Sequence, residues 1–389
     1  MNYKVMKKAI ECLPTKATYL AIGVLCLSWA INLQAKENNT KLTKEVSRGF
    51  AAQKDVTVDV SNKYGQVIIN TWKQDSVKIE VVITAYGKRD DLVEKALKRV
   101  DLDFRQSGNF ITAETVLDRK SGSLKEFFNS VGDYSKALLS KNKLEVDYQI
   151  YMPETANIYI DNKFGDVYLE EVFGKSKIVV SHGNLRAYRL HGFARIDVSF
   201  GDANLKYIKE GELLLKVAEA DITQADAVNI KGNSSKVFIK EAKELGVDCR
   251  HDKLTIESVE MIRGRGSFSD VKINTMHVLT DLELSYGQVR INEALDGFNQ
   301  ISINGKSTDI EVNLHGNAYV NADITAVDDK LTMPISQNHT KREAKDDRGK
   351  VVNVSGYLGA DKGTESRLYI DADGGDTQIH FNPLDPGNE

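Results

Sequence analysis

The feature that most constrains this chain is a short spelling that keeps returning. Asn-Lys-Tyr/Phe-Gly-x-Val stands at Asn62 to Val67 and again at Asn162 to Val167. Drifting copies of its core follow at His182-Gly183-Asn184-Leu185, Phe200-Gly201-Asp202-Ala203, Glu219-Ala220-Asp221-Ile222, Ser234-Ser235-Lys236-Val237, His251-Asp252-Lys253-Leu254, Phe268-Ser269-Asp270-Val271 and Tyr286-Gly287-Gln288-Val289. Counted at the glycine or its equivalent from Gly165, the steps are 18, 18, 19, 15, 17, 17 and 18 residues. Looser copies stand at Thr308-Asp309-Ile310 and Gly375-Asp376-Thr377. A fixed short period marks a repeat architecture, in which each unit buries its apolar face against its neighbours.

A unit of this length holds two or three short strands and tight corners, with no room for a helix. The patterning agrees: Val237 and Ile239, Leu254 and Ile256, Val271 and Ile273, and Val289 and Ile291 alternate with Phe238, Thr255, Lys272 and Arg290. A second alternating strand lies in most units, as at Ile196 and Val198, Val228 and Ile230, Val247 and Cys249, and Ile301 and Ile303. The expected fold is therefore all-β, a parallel β-solenoid of coils of about 18 residues. An antiparallel sandwich or barrel also reads as many short strands, but it does not require the same spelling at every second strand.

The organisation expected along the chain has five parts. Residues 1–35 carry Lys4, Lys7, Lys8 and Lys16, then an apolar run from Tyr19 to Ile31, and Ala35 offers a small residue for cleavage. That is the pattern of a secretory signal peptide, with a retained membrane anchor as the alternative. Bulky Val24 and Leu25 before Cys26 do not suit a lipoprotein signal. A polar segment spans 36–52, and a β-rich region at 53–155 carries two expected helices, at about 90–100 and 123–139. Asp91/Glu94 and Ser123/Glu126 resemble capping boxes at the start of these helices. Solenoid repeats span 156–325, and C-terminal strands with a polar loop at 337–350 fill 326–389.

Loss of residues 1–35 leaves 48 basic against 55 acidic residues, a formal charge of −7 against −4 for the whole chain. Nucleic acid and anionic membrane are poor partners for such a surface. The same cut leaves Cys249 as the one thiol, so no internal disulfide is expected.

The Asn-Lys-Tyr/Phe-Gly-x-Val units, Trp72 after the first copy and Tyr151-Met152-Pro153 before the second resemble an exported family of Gram-negative bacteria. Its members are described as adhesin domains or as domains of unknown function. The resemblance covers roughly residues 55–325. It implies a β-solenoid in the cell envelope, periplasmic or at the outer surface, and supplies no catalytic residue, cofactor, metal or ligand.

Three sets of side chains carry possible chemistry. Tyr64, Phe164, His182, Phe200, Phe268 and Tyr286 form a column of rings before the corner. Outward, they would make a platform for sugars. However, Phe164 shares the parity of Ile158 and Ile160, so an internal stack is expected. The column after the corner, Asp166, Asn184, Asp202 and Asp221, is the candidate binding surface. It could hold calcium or serve a polysaccharide lyase or hydrolase; corner hydrogen bonding is the plainer account. Cys249 and His251, on one strand face by parity, could pair as nucleophile and base, yet Cys249 shares parity with Val247 and is expected in the core. No His-Glu-x-x-His or Gly-x-Ser-x-Gly occurs.

The function expected from these features is a non-enzymatic exported scaffold or binding protein with a protein or glycan partner in the envelope. The rivals are a carbohydrate-active β-helix enzyme and an envelope sensor that docks through residues 121–142.

Overall fold

Branched aliphatic residues at every second position give strands with one apolar face, and turns between them fold those faces toward each other. The computed structural model of the chain describes residues 40–53, 55–117, 144–360 and 366–383. The expected signal segment, the expected helix at 123–139 and the possible docking segment 121–142 lie outside the described residues. Among the described residues, no helix is long and apolar enough to cross a membrane.

The chain begins with β1 (Thr40–Ala51), β2 (Thr57–Lys63), β3 (Val67–Trp72), β4 (Ser76–Gly87), α1 (Asp90–Lys98), β5 (Val100–Ser107), β6 (Phe110–Leu117) and β7 (Leu144–Pro153). Continuous coils follow: β8 (Asn157–Lys163), β9 (Val167–Val172), β10 (Ser176–Ser181), β11 (Leu185–Ser199), β12 (Asp202–Lys216), β13 (Glu219–Asn233), β14 (Lys236–Arg250), β15 (Lys253–Ser267), β16 (Asp270–Ser285), β17 (Gln288–Ala294), β18 (Gln300–Lys306) and β19 (Asp309–Leu314). The first half of β11 pairs with β9 and its second half with β10, so each long strand runs along one wall, bends, and returns along the other. Successive coils pair in parallel and in register. The fold is a two-walled parallel β-solenoid, as the period predicts; the antiparallel alternative fails for this body.

Register stacks like on like. Ile160, Ile178, Ile196, Leu213, Ile230 and Val247 form one interior file, and Leu205, Ile222, Ile239, Ile256, Ile273 and Ile291 face it from the other wall, all buried. Burying one such side chain is worth about 1.5–3 kcal/mol, but only a neighbouring coil can provide the cover. In one place the register differs from the expected one. Asp202 stands beside Glu219, and Glu219 beside Lys236, so the corner falls at Val217-Ala218-Glu219 rather than at Ala220. The irregular steps of 19 and 15 become 17 and 17.

Both ends depart from the parallel pattern. At the N-terminal end β6 and β7 lie on β2 and β3, then β4 adds antiparallel to β7 and β1 antiparallel to β4. Helix α1 rests against β1 and β4 with Val93 buried. Its N-cap is Arg89, which makes no side-chain cap bond, so the expected capping box at Asp91 is not formed; Asp91 instead binds the Arg89 guanidinium at 2.8 Å. At the other end come β20 (Val320–Val327), β21 (Leu331–Thr332), β22 (Asn338–Ala344), β23 (Val351–Leu358), β24 (Ser366–Asp373) and β25 (Thr377–Phe381). The pair β24–β25 inserts as a coil between β18–β19 and β20–β21, and the hairpin β22–β23 adds antiparallel to β20. The stretch 337–350, expected as a loop, thus contains strand β22. Antiparallel strands at both ends give the terminal coils partners for their hydrogen bonds.

Candidate binding site at the first corner

The first corner, where the chain leaves the wall built by β8, β10 and the second half of each long strand, has an unusual backbone. Tyr64, Phe164, His182, Phe200, Val217, Ser234, His251, Phe268, Tyr286 and Ser307 all have positive φ, between 48 and 65°. For a residue with a side chain, that left-handed region costs roughly 1–2 kcal/mol. The next residue sits where coils nearly touch: a Cβ on Gly183 would lie 2.0 Å from the Gly165 carbonyl oxygen, and one on Gly201 1.9 Å from that of Gly183. Where corners approach this closely, only glycine fits.

Where glycine gives way, polar side chains reach the backbone of the preceding coil. The Ala218 N–H donates to Ser235 Oγ (3.2 Å), the Ser235 N–H to Asp252 Oδ1 (2.6 Å) and the Asp252 N–H to Ser269 Oγ (3.1 Å). The asparagine of the repeated spelling has the same kind of task. Buried Asn162 donates from Nδ2 to the Gly65 carbonyl at 3.0 Å, and Asn62 to that of Val146 at 2.9 Å.

The rings point outward, contrary to the parity expectation. Alternation holds through Asn162, but the left-handed residue that follows turns the chain, so Phe164 leaves the core and Val167 re-enters it. Tyr64, Phe164, His182 and Phe200 stack with centroids 5.4, 5.1 and 4.9 Å apart. His251, Phe268 and Tyr286 form a second stack at 5.2 and 5.1 Å. Phe200 is 46% exposed, Phe268 54% and Tyr286 49%. Because the planes stack along the solenoid axis, inner rings offer edges to solvent and cover one another's faces. The result is an apolar ridge rather than a flat sugar platform.

The expected acid column is a backbone ladder in part. The Asn184 N–H donates to Asp166 Oδ1 at 2.8 Å, and the Asp202 N–H to Asn184 Oδ1 at 3.0 Å. Asp221 does not belong to this file: it pairs in register with Asn204, and Glu219 takes the place beside Asp202. Glu219 accepts from Lys236 Nζ at 2.6 Å. Among the described residues, no group of three or more His, Cys, Asp or Glu side chains is placed to hold a metal ion.

Cys249 and His251 part company at the corner, the first buried and the second exposed. Burial, then the carboxylates of Asp252 and Asp248, push the Cys249 thiol up to about 12, which leaves it protonated and unsuited to attack. Burial also raises the Asp252 carboxyl, against the lowering effect of N–H bonds from Ser235 and Arg250.

A second aromatic cluster escaped the sequence reading. Phe173 and His191 stack at 4.3 Å on the opposite corner, and His191 Nε2 lies 2.7 Å from Glu171 Oε1. Tyr207 adjoins His191 and donates its hydroxyl to Asp226 (2.8 Å), which also holds Lys243 at 3.0 Å. The signal was present: Phe173-Gly174 and His191-Gly192 repeat Phe164-Gly165 and His182-Gly183 nine residues later.

Fold and corner together define a parallel β-solenoid with an outward ring file. No family model matches the chain, and no curated protein matches it. Among solved structures, it is similar to a putative adhesin from Bacteroides fragilis at 12% identity and a TM-score of 0.31, over 69% of this chain and 97% of that one. It is also similar to a putative cell adhesion protein from Clostridium sporogenes at 10% identity and a TM-score of 0.19, over 88% of this chain and 100% of that one.

Proposed function

We propose that this chain is a non-enzymatic, exported binding scaffold of the bacterial cell envelope, adhesin-like in use, whose contact surface is the outward ring ridge. The observation that carries the reading is the choice of residue at the strained corner. Glycine would relieve the left-handed backbone, yet seven of the ten positions hold half-exposed or exposed rings. Stacking returns about 0.5–1.5 kcal/mol per ring pair, comparable to the strain, and leaves two apolar edges, Tyr64 to Phe200 and His251 to Tyr286, of the kind that mark contact surfaces. The charged and apolar start of the chain and the resemblance to an exported family support the location.

The enzyme alternative rested on Asp166, Asp202 and Asp221 acting together. Asp221 lies off that file, and Asp166 is engaged by a backbone N–H and by the Tyr168 hydroxyl at 3.2 Å. Docking through residues 121–142 is a separate proposal, tested by repeating the capture below without that segment.

The test replaces Phe200, Phe268 and Tyr286 together by serine, which Ser234 and Ser307 already present at the same left-handed position. Cross-linking and affinity capture from intact cells should lose the partners recovered with the wild-type chain, while the far-ultraviolet spectrum stays that of a β protein. An unchanged set of captured partners refutes the ridge as the contact surface.

A further inference from the structure

The ring file has a gap, and the gap has the dimensions of a site. Four rings end at Phe200 and three begin at His251; Val217 and Ser234 occupy the two positions between. The backbone does not break there. Phe200 N–H donates to the Lys216 carbonyl, Val217 to Asn233, Ser234 to Arg250 and His251 to Ser267, at 3.1, 3.0, 2.9 and 3.0 Å. All four residues share the left-handed φ, so Val217 and Ser234 point outward in line with the rings. Adjacent coils are about 4.8 Å apart, so two steps separate Val217 from His251 by roughly 10 Å. One ring midway would stand about 5 Å from each, the spacing of the stacked rings on either side, and the small side chain of Ser234 does not fill that place.

The surroundings give the occupant its chemistry. One wall is the uncovered face of the His251 imidazole and the other the Val217 isopropyl group, which is 49% exposed. Lys216 and Arg250 precede the corner and Lys253 follows it, and all three are exposed. Among the described residues none of these three forms an ion pair, whereas neighbouring Lys236 is neutralised by Glu219. Asp270 is the in-register neighbour of Lys253 on the next coil, and among the described residues the two form no ion pair. The site therefore combines two apolar walls one ring apart with exposed cations at its rim, the buried Asp252 carboxylate between Arg250 and Lys253 being taken up by the Ser235 and Arg250 N–H groups, on a chain whose net charge is negative.

We infer that the gap over Ser234 receives one anionic sugar ring, a uronate of an acidic polysaccharide, stacked between His251 and Val217 with its carboxylate on Arg250 and Lys253. This rests on the scaffold reading and specifies its ligand. A pyranose offers a C–H face to imidazole and to isopropyl, and its carboxylate and hydroxyls lie at the rim where the cations, Ser234 and Asn233 stand.

Calorimetric titration of the chain with an oligogalacturonate and with a neutral cello-oligosaccharide tests it. Binding of the first, at least about tenfold tighter than of the second, is expected, as is a loss of about tenfold in Lys253→Ala. Ser234→Phe should abolish binding by completing the file. Phenylalanine occupies the same backbone at Phe164, Phe200 and Phe268, so this variant should keep the wild-type thermal midpoint or raise it. No binding to wild type, equal binding of the neutral sugar, unchanged binding in Ser234→Phe, or preference for an aromatic amide such as N-acetyltyrosinamide overturns the inference. If oligogalacturonate fails to bind while the triple serine variant still loses its captured partners, this inference falls and the scaffold stands. If binding is abolished by Ser234→Phe but capture is unaffected by the triple variant, the sugar site stands and the ridge falls.

Discussion

Two glycine-to-alanine substitutions on the same solenoid should have opposite outcomes. In Gly183→Ala the new Cβ would lie 2.0 Å from the Gly165 carbonyl oxygen and 2.7 Å from its carbon, well inside contact, with backbone rather than a flexible side chain as the obstacle. Relief requires the two corners to separate by more than an ångström. Three hydrogen bonds cross that seam: Phe164 N–H to Ser181 O (2.9 Å), Val167 N–H to Asn184 O (2.8 Å) and Asn184 N–H to Asp166 Oδ1 (2.8 Å). At about 0.5–1.5 kcal/mol each, with overpacking strain of about 1–3 kcal/mol where separation is incomplete, the loss is about 3–4 kcal/mol. In Gly266→Ala the nearest atoms are Leu284 Cδ2 at 3.4 Å and Ser269 Cβ at 3.5 Å, ordinary contacts. There the methyl group should be neutral or gain up to about 0.5–1 kcal/mol, since glycine inside a strand is unfavourable. Urea denaturation followed by circular dichroism reads both. A wild-type midpoint for Gly183→Ala, or equal losses for the two variants, refutes the close-stacked corner.

Other expectations follow from the polar groups. Asp252→Ala leaves the N–H groups of Ser235 and Arg250 without their acceptor and should cost about 2–4 kcal/mol, measured by the same denaturation. Its pH dependence has a definite sign. The folded state raises the Asp252 carboxyl above the ordinary value of 3.8, so between those two values the folded chain holds the proton the unfolded chain has released. The stability advantage of wild type over Asp252→Ala should therefore shrink as pH rises through that window, and an advantage that grew would contradict the raised carboxyl. In a chain with Cys12 and Cys26 replaced by serine, Cys249 should resist a thiol reagent at pH 8 until urea unfolds the protein; rapid labelling of the native state would disprove its burial. Asn162→Ala removes the donor to the Gly65 carbonyl and should lower stability by about 1–3 kcal/mol, whereas Gly49→Ala, with open space around the new methyl, should stay within about 0.5 kcal/mol.

The solenoid was legible because its two signals, period and alternation, report the same packing requirement. Val237, Leu254 and Val271 repeat because each must cover the next. The ring direction was not legible, because parity is a property of extended backbone and fails across a residue with left-handed φ. Nothing in the letters Phe164-Gly165 says that the phenylalanine, not the glycine, carries the positive φ. The misplaced corner has a different cause. Val217-Ala218 has neither ring nor glycine, so the acid-containing Glu219-Ala220-Asp221 resembled the copies more closely than the true corner did. The capping strands obey no period, and only contacts with the terminal coils place them.

The coils also differ in length, and where the difference is absorbed bears on which corner matters. Steps of 18 residues lead to Gly201, steps of 17 carry the chain through Ala218, Ser235 and Asp252 to Ser269, and a step of 18 returns at Gly287. Register shifts lie between Leu190 and Phe193 when the residue is lost and between Val259 and Met261 when it is regained. Both are at the second corner, opposite the rings. Across these changes every first-corner residue keeps its left-handed φ and its N–H bond to the following coil. A solenoid that needed only to stack could take up a lost residue at either turn, and here the ring-bearing turn is held in file while the other yields. Transferring the deletion is therefore informative. Removing Gly192 to make that coil 17 residues long should be tolerated, with the ring stack intact by near-ultraviolet circular dichroism. Removing Gly183 should break the stack and the protein's stability together, and equal tolerance of the two deletions would show that neither corner is privileged.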